Sequence, residues 1–184
     1  MTRPTGDKPK RLFVACDLPP DVLDAVTAWQ AEALAPHKDV RVVGSLHITL
    51  VFLGDVPGAA VGDVAAALEP VAFHPFEVGL EAPLFLPERG TKHVVALHLT
   101  DPSGRLATLQ SDASHALQNA GLYKPSKRPW LGHVTVARFR RPGHPFPLQN
   151  VTIPPFGVDR MVLYSSLLER AGAVHTPVAE FPAS

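Results

Sequence analysis

Leu46–Gly54 reads LHITLVFLG, nine residues rich in β-branched and aromatic side chains and closed by Gly54-Asp55, which marks a strand. Side chains at i and i+2 share one face of a strand, so His47 and Thr49 project together while Ile48 and Leu50 face a core. His133–Phe139 (HVTVARF) repeats the arrangement, with His133 and Thr135 on one face and Val134 and Val136 on the other. A third His-x-Thr, His98-Leu99-Thr100, runs straight into the helix-opening pair Asp101-Pro102 and is read as a chance copy. With nine His and ten Thr among 184 residues, random placement supplies about half an occurrence, so context has to separate the three.

Working outward, Arg11–Leu18 (RLFVACDL) is a first strand stopped by Pro19-Pro20. Val22, Leu23, Val26, Trp29, Ala33 and Leu34 then recur at helical spacing, and Pro36 ends that helix. A second helix runs from Ala59 to about Val71 over Val61, Val64, Ala65, Leu68 and Val71. Phe76–Leu86 and His93–Leu99 are strands joined at Pro87-Glu88-Arg89-Gly90. The third helix takes Asp101 as N-cap and Pro102 in its first turn, buries Leu106, Leu109, Ala113, Ala116 and Leu117, and stops at Gly121. Gly157–Ser165 and Ala173–Glu180 are the last strands, separated by a short turn or helix. Several connections are short enough for hairpins, so the fold class is α+β with mainly antiparallel sheet, not a doubly wound parallel sheet. Residues 1–10 are polar, form a flexible tail and carry no apolar stretch suited to a signal sequence, leaving 11–184 as one domain.

A 184-residue chain that is 46% hydrophobic buries enough surface to fold without cross-links. The single cysteine, Cys16, packs as a small core residue and excludes an internal disulfide or a cysteine-based zinc site. No run approaches the roughly 20 apolar residues of a membrane span, so a cytoplasmic protein with no membrane partner is expected. Seventeen Lys and Arg balance seventeen Asp and Glu, but unevenly along the chain. Val42–Glu88 holds six acids and no base, whereas Ala113–Val158 holds six bases and no acid: Lys124, Lys127, Arg128, Arg138, Arg140 and Arg141. Such segregation makes a local basic surface on a neutral protein.

If the two His-x-Thr strands lie side by side about a pseudo-twofold axis, two imidazoles face each other with two hydroxyls between them. In-line transfer at phosphorus needs that set: a base on the attacking oxygen, an acid on the leaving oxygen, and neutral donors on the remaining oxygens. Histidine suits both proton roles because its ordinary pKa is about 6.5.

On RLFVACDLP near the start, LHITLVFLG around the first motif and RPWLGHVTVAR around the second, the chain resembles the two-histidine phosphoesterases, and among them the RNA 2′,3′-cyclic phosphodiesterases, also called 2′-5′ RNA ligases. The stretch VLYSSLLERAG (Val162–Gly172) resembles that family's C-terminal strand. The resemblance implies a bilobal α+β fold of two pseudo-twofold-related lobes, outer helices and a central cleft. It also implies metal- and cofactor-free hydrolysis of an RNA 2′,3′-cyclic phosphate to a 2′-phosphomonoester, with His47 and His133 catalytic and Thr49, Thr135 and Arg138 on the phosphate. With an RNA 5′-hydroxyl as the nucleophile, the same cleft would make a 2′-5′ linkage. Strict alternation puts Arg138 on the wrong face, so its entry needs a bulge or the strand end. The family usually has proline before the second histidine; Gly132 stands here and is expected to loosen the orientation of His133.

The implied partner is an RNA bearing a 2′,3′-cyclic phosphate end, with the protein a monomer needing no obligate protein partner. Lys124, Lys127 and Arg128 before the second motif, and Arg140 and Arg141 after it, are placed for RNA phosphates; Trp130 or Phe13 for stacking on a base. A zinc hydrolase is the first rival, but no His-x₃-His or HExxH spacing is present, and no metal is expected. The others are an RNA-end-binding module without turnover and a phosphodiesterase acting on a small nucleotide cyclic phosphate.

Overall fold

The computed structural model describes residues 8–169 and 172–184. In chain order the elements are β1 (Lys10–Asp17), α1 (Pro20–Ala33), β2 (Val40–Val42), β3 (His47–Val56), α2 (Val61–Leu68), β4 (Phe76–Leu86), β5 (Lys92–Thr100), α3 (Arg105–Asn119), β6 (His133–Gly143), β7 (Phe156–Val158), β8 (Arg160–Glu169) and β9 (Gly172–Pro182). Of the tail expected over 1–10, residues 1–7 lie outside the described residues and Lys10 opens β1, opposite Val56.

All strand pairs are antiparallel, in the order β7-β4-β5-β6-β3-β1-β8-β9, with β2 beside β6. The centre is the single pair Ile48↔Val134 between β3 and β6. To either side lie β5, β4, β7 and β1, β8, β9, so β1–α1–β3 is matched by β5–α3–β6 and the two lobes are related by a pseudo-twofold axis. The helices cross between lobes. Gln30 of α1 reaches the backbone of β6, and α3 packs against β3. A flat sheet would put β7 and β8 six spacings of about 4.8 Å apart, yet Asp159 alone joins them. The sheet is therefore curled until its ends approach, and Ala183 N donating to Asp159 O at 2.7 Å fastens them.

The core lies on the helix side, where Leu12, Val14, Cys16, Ile48, Leu50, Leu97, Val134 and Val136 meet Val26, Leu109 and Leu117. Cys16 is in this core, where burial pushes its thiol pKa up to about 12 and keeps it unreactive.

Several boundaries differ from expectation for local reasons. α3 begins at Arg105, not at Asp101-Pro102, because Gly104 (φ 69°) turns the chain first; Asp101 still caps it by accepting from Ala107 N at 3.0 Å. α2 is shorter than Ala59–Val71 and is preceded by a 3₁₀ turn, Gly58–Ala60. The strand expected over Gly157–Ser165 is two strands, split at Asp159 where the chain leaves β4 for β1. β8 runs on to Glu169 and β9 begins at Gly172, and the turn or helix expected between them lies outside the described residues.

Candidate active site

His47 and Thr49 open β3 and His133 and Thr135 open β6, beside the Ile48↔Val134 contact. Exposure along the first seven residues of the two strands follows one sequence: half-buried, buried, half-buried, buried, buried, exposed, half-buried. The doubled buried step is a bulge. Thr49 pairs with Ala15 but Val51 with Val14; Thr135 pairs with Ala96 but Ala137 with Val95. Two successive side chains then face the core, and the next one returns to the histidine face. Arg138 gains the cleft in this way, sharing a face with His133 and Thr135.

The bulge in β6 is clamped from behind. The Val136 carbonyl accepts from Val43 N at 3.0 Å and from Gln30 Nε2 at 2.7 Å, and Nε2 also donates to Val43 O at 3.0 Å. Gln30 is 2% exposed, a buried amide whose NH₂ group is consumed by these two carbonyls.

Both imidazoles are fixed alike. Nδ1 of His47 lies 3.2 Å from Ser45 O and Nδ1 of His133 lies 2.8 Å from Leu131 O, in each case the carbonyl two residues back. A carbonyl only accepts, so Nδ1 carries the proton and Nε2 is the free nitrogen on both rings. Burial pushes the His47 pKa down to about 4, assisted by the nearby charges of His175 and His133 and opposed by the Ser45 carbonyl and Asp17.

Around His47 the cleft is aromatic. Phe13 lies 4.9 Å from its ring, Tyr164 stacks on Phe13 at 5.4 Å, and His175 stands edge-on to both Phe13 (4.8 Å) and His47 (5.3 Å). Burial also lowers the His175 pKa, and its buried Nδ1 has no hydrogen-bond partner among the described residues. Tyr164 Oη donates to Asp17 Oδ1 at 2.8 Å, and Asp17 sits directly across from His47.

The residues named from sequence fare unequally. His47, Thr49, His133, Thr135 and Arg138 share one face of the sheet. Phe13 is 3% exposed beneath His47, Tyr164 and His175, leaving no open ring face for a base. Trp130 is held by Nε1 donating to Thr49 O at 3.1 Å. Lys124, Lys127 and Arg128 are exposed on the loop before β6. At Gly132 a Cβ would meet the Trp130 ring at 3.1 Å, and the Gly132 carbonyl accepts from Leu99 N at 3.1 Å.

Because α3 starts only at Arg105, His98-Leu99-Thr100 is strand, and His98 lies directly opposite His133, with Nδ1 3.7 Å from Glu81 Oε2. Phe52 is a further candidate that the sequence reading misses. It is the counterpart of Arg138, five residues past its histidine, 51% exposed, with the Arg11 guanidinium carbon 5.2 Å from its ring centre. Equal spacing from the two histidines is the signal that could have found it. Among the described residues no group of three His, Cys, Asp or Glu side chains is placed to hold a metal ion.

Residues 18–166 match the family model described as the 2′-5′ RNA ligase superfamily. The chain belongs to the 2′-5′ RNA ligase superfamily. It is 29% identical over 181 residues to the RNA 2′,3′-cyclic phosphodiesterase of Escherichia coli K12, covering 93% of this chain and 95% of that one. The enzyme of the same name from Archaeoglobus fulgidus is 30% identical over 133 residues, 71% of this chain and 73% of its own. Among solved structures, TT0787 of Thermus thermophilus superposes with a TM-score of 0.81 at 25% identity, covering 94% of this chain and 97% of that one. Escherichia coli LigT, solved with 3′-AMP, gives 0.83 at 24% identity over 96% and 99% of the two chains, a likeness of fold. The superfamily match spans both His-x-Thr strands and the Arg138 bulge.

Proposed function

We propose that the chain is an RNA 2′,3′-cyclic phosphodiesterase that opens a terminal cyclic phosphate to a 2′-phosphomonoester by acid–base catalysis between His47 and His133, with no metal or cofactor. The chain is an enzyme of the cyclic-phosphodiesterase class, as its relatives bearing that name support. The observation that carries the mechanism is the matched pair of imidazoles, each with Nδ1 held by a backbone carbonyl, Nε2 free, and a threonine two residues on.

Water attacks phosphorus opposite O3′. One Nε2 takes the water proton while the other imidazole, protonated, delivers its proton to O3′ as that bond breaks. The base must be neutral beforehand. Burial keeps His47 neutral above about pH 4, the state a base needs. Thr49 and Thr135 donate to the non-bridging oxygens, and Arg138 neutralises their charge. The exposed Phe52 ring offers a stacking surface for the terminal base. With an RNA 5′-hydroxyl attacking in place of water and O3′ leaving as before, the same positions give a 2′-5′ linkage.

The deciding experiment incubates the protein with an RNA oligomer ending in a 2′,3′-cyclic phosphate and locates the product phosphate. A 2′-phosphate formed in excess chelator is the expected result. A 3′-phosphate, or full loss of activity in chelator, would overturn the proposal.

A further inference from the structure

The two ends of the cleft differ in chemistry. β3 and β6 are antiparallel, so Phe52 and Arg138, each five residues beyond its histidine, lie toward opposite ends. One end is aromatic, with Phe52 under Arg11. The other is cationic, because β2 pairs with β6 there and places Arg41 directly across from Arg138. Directly opposed residues of an antiparallel pair share a face, with Cβ atoms about 5 Å apart, and like charges in that position repel. Both side chains are exposed, and among the described residues the only ion pairs are His98–Glu81 and Arg160–Asp17. Among the described residues neither Arg41 nor Arg138 forms an ion pair with a carboxylate. Arg140, two residues on, is engaged with its Nε donating to Lys38 O. With Arg138 taken by the reacting phosphate, Arg41, paired directly across from it and outside any ion pair among the described residues, stands at the mouth of the site where a second phosphate would pass.

We infer that Arg41 binds the phosphodiester on the 5′ side of the terminal nucleotide, so that the enzyme selects an RNA chain over a lone nucleoside cyclic phosphate. This rests on the phosphodiesterase reading and sharpens its substrate class. With the cyclic phosphate between His47 and His133 and the terminal base toward Phe52, the chain leaves the cleft past Arg138 and meets Arg41 one strand further out.

The test compares two substrates with the same terminal nucleoside: adenosine 2′,3′-cyclic phosphate, which has one phosphate, and the dinucleotide ApA ending in a 2′,3′-cyclic phosphate, which has two. Wild-type protein should favour the dinucleotide in kcat/KM. Arg41→Ala should cost about tenfold on the dinucleotide and leave the mononucleotide within about twofold, with Arg41→Lys recovering part of the loss. The slope of log(kcat/KM) against log salt should fall by about one on the dinucleotide alone. Equal losses on both substrates would mean that Arg41 only steadies Arg138, and no loss on either would mean that it binds nothing; each result overturns the inference while the activity stands. Wild-type protein inert on both substrates would overturn the phosphodiesterase reading and this inference with it.

Discussion

A histidine moves a proton usefully only if the right nitrogen is free and the ring is in the right charge state before reaction. The backbone supplies the first condition at His47 and His133 through Ser45 and Leu131, and burial supplies the second at His47. Replacing either ring by alanine should lower kcat at least about 100-fold while leaving the melting temperature near that of wild type, since each ring lies half-buried at the cleft and outside the core. Equal activity in either variant would remove the residue from the mechanism. The His47 shift also sets two pH dependences. Because kcat/KM reports the free enzyme, its acid limb should lie well below pH 6.5 and move upward when His175→Phe removes the neighbouring charge. For stability, the folded pKa of about 4 lies below the unfolded value of about 6.5. The unfolded chain therefore binds more protons between those limits, so stability is full above pH 6.5 and falls as pH drops toward 4. The lowered His175 pKa adds in the same direction. Melting curves from pH 7.5 to 4.5 should be flatter for His47→Gln than for wild type; parallel curves would refute the coupling. At this scale the chemistry is legible in the sequence, because i and i+2 in a strand place His and Thr together whatever surrounds them. The start of α3 is misread, since the helix begins three residues later than an N-cap at Asp101 implies.

At the scale of single elements, the bulges decide which side chains reach the cleft. An alternating pattern in sequence shows the period of a strand but not a one-residue slip in its pairing, which is why the face of Arg138 stays open until the register is known. Gln30 is invisible for a related reason: it sits among apolar helix positions and reads as a polar interruption, while its amide is bound to the bulge carbonyl of another lobe. β2 escapes notice because three residues are too few to show an alternation. Gln30→Leu removes both donors and leaves the Val43 and Val136 carbonyls short of partners, at a cost of about 1–3 kcal/mol. If Gln30 acts by holding the bulge that aims Arg138, the two substitutions will not add: Gln30→Leu should reduce kcat/KM clearly in the wild-type background and little in Arg138→Ala. Independent, additive losses in that cycle would make Gln30 a stability residue only.

Over the whole molecule, the antiparallel class and the doubled strand–helix–strand unit follow from short connections and repeated periodicity, but the crossing of the helices does not. Nothing local in α1 says that it packs behind β6, or in α3 that it packs against β3. That exchange removes the option of folding one lobe at a time, because each lobe covers the core face of the other. The single-residue link at Asp159 and the Ala183–Asp159 hydrogen bond tie the sheet's outer strands as well. Unfolding should then be one cooperative transition. The two tryptophans report on different parts of the fold: Trp29 lies on α1 with Nε1 donating to Gln149 O, and Trp130 is bonded to Thr49 O of β3. Urea titrations of Trp29→Phe and Trp130→Phe variants, each followed by the remaining tryptophan, should match that variant's own circular-dichroism transition in midpoint and slope. A fluorescence transition that separates from the circular dichroism in either variant would show that one lobe opens while the other holds, and the interlocked arrangement would have to be abandoned.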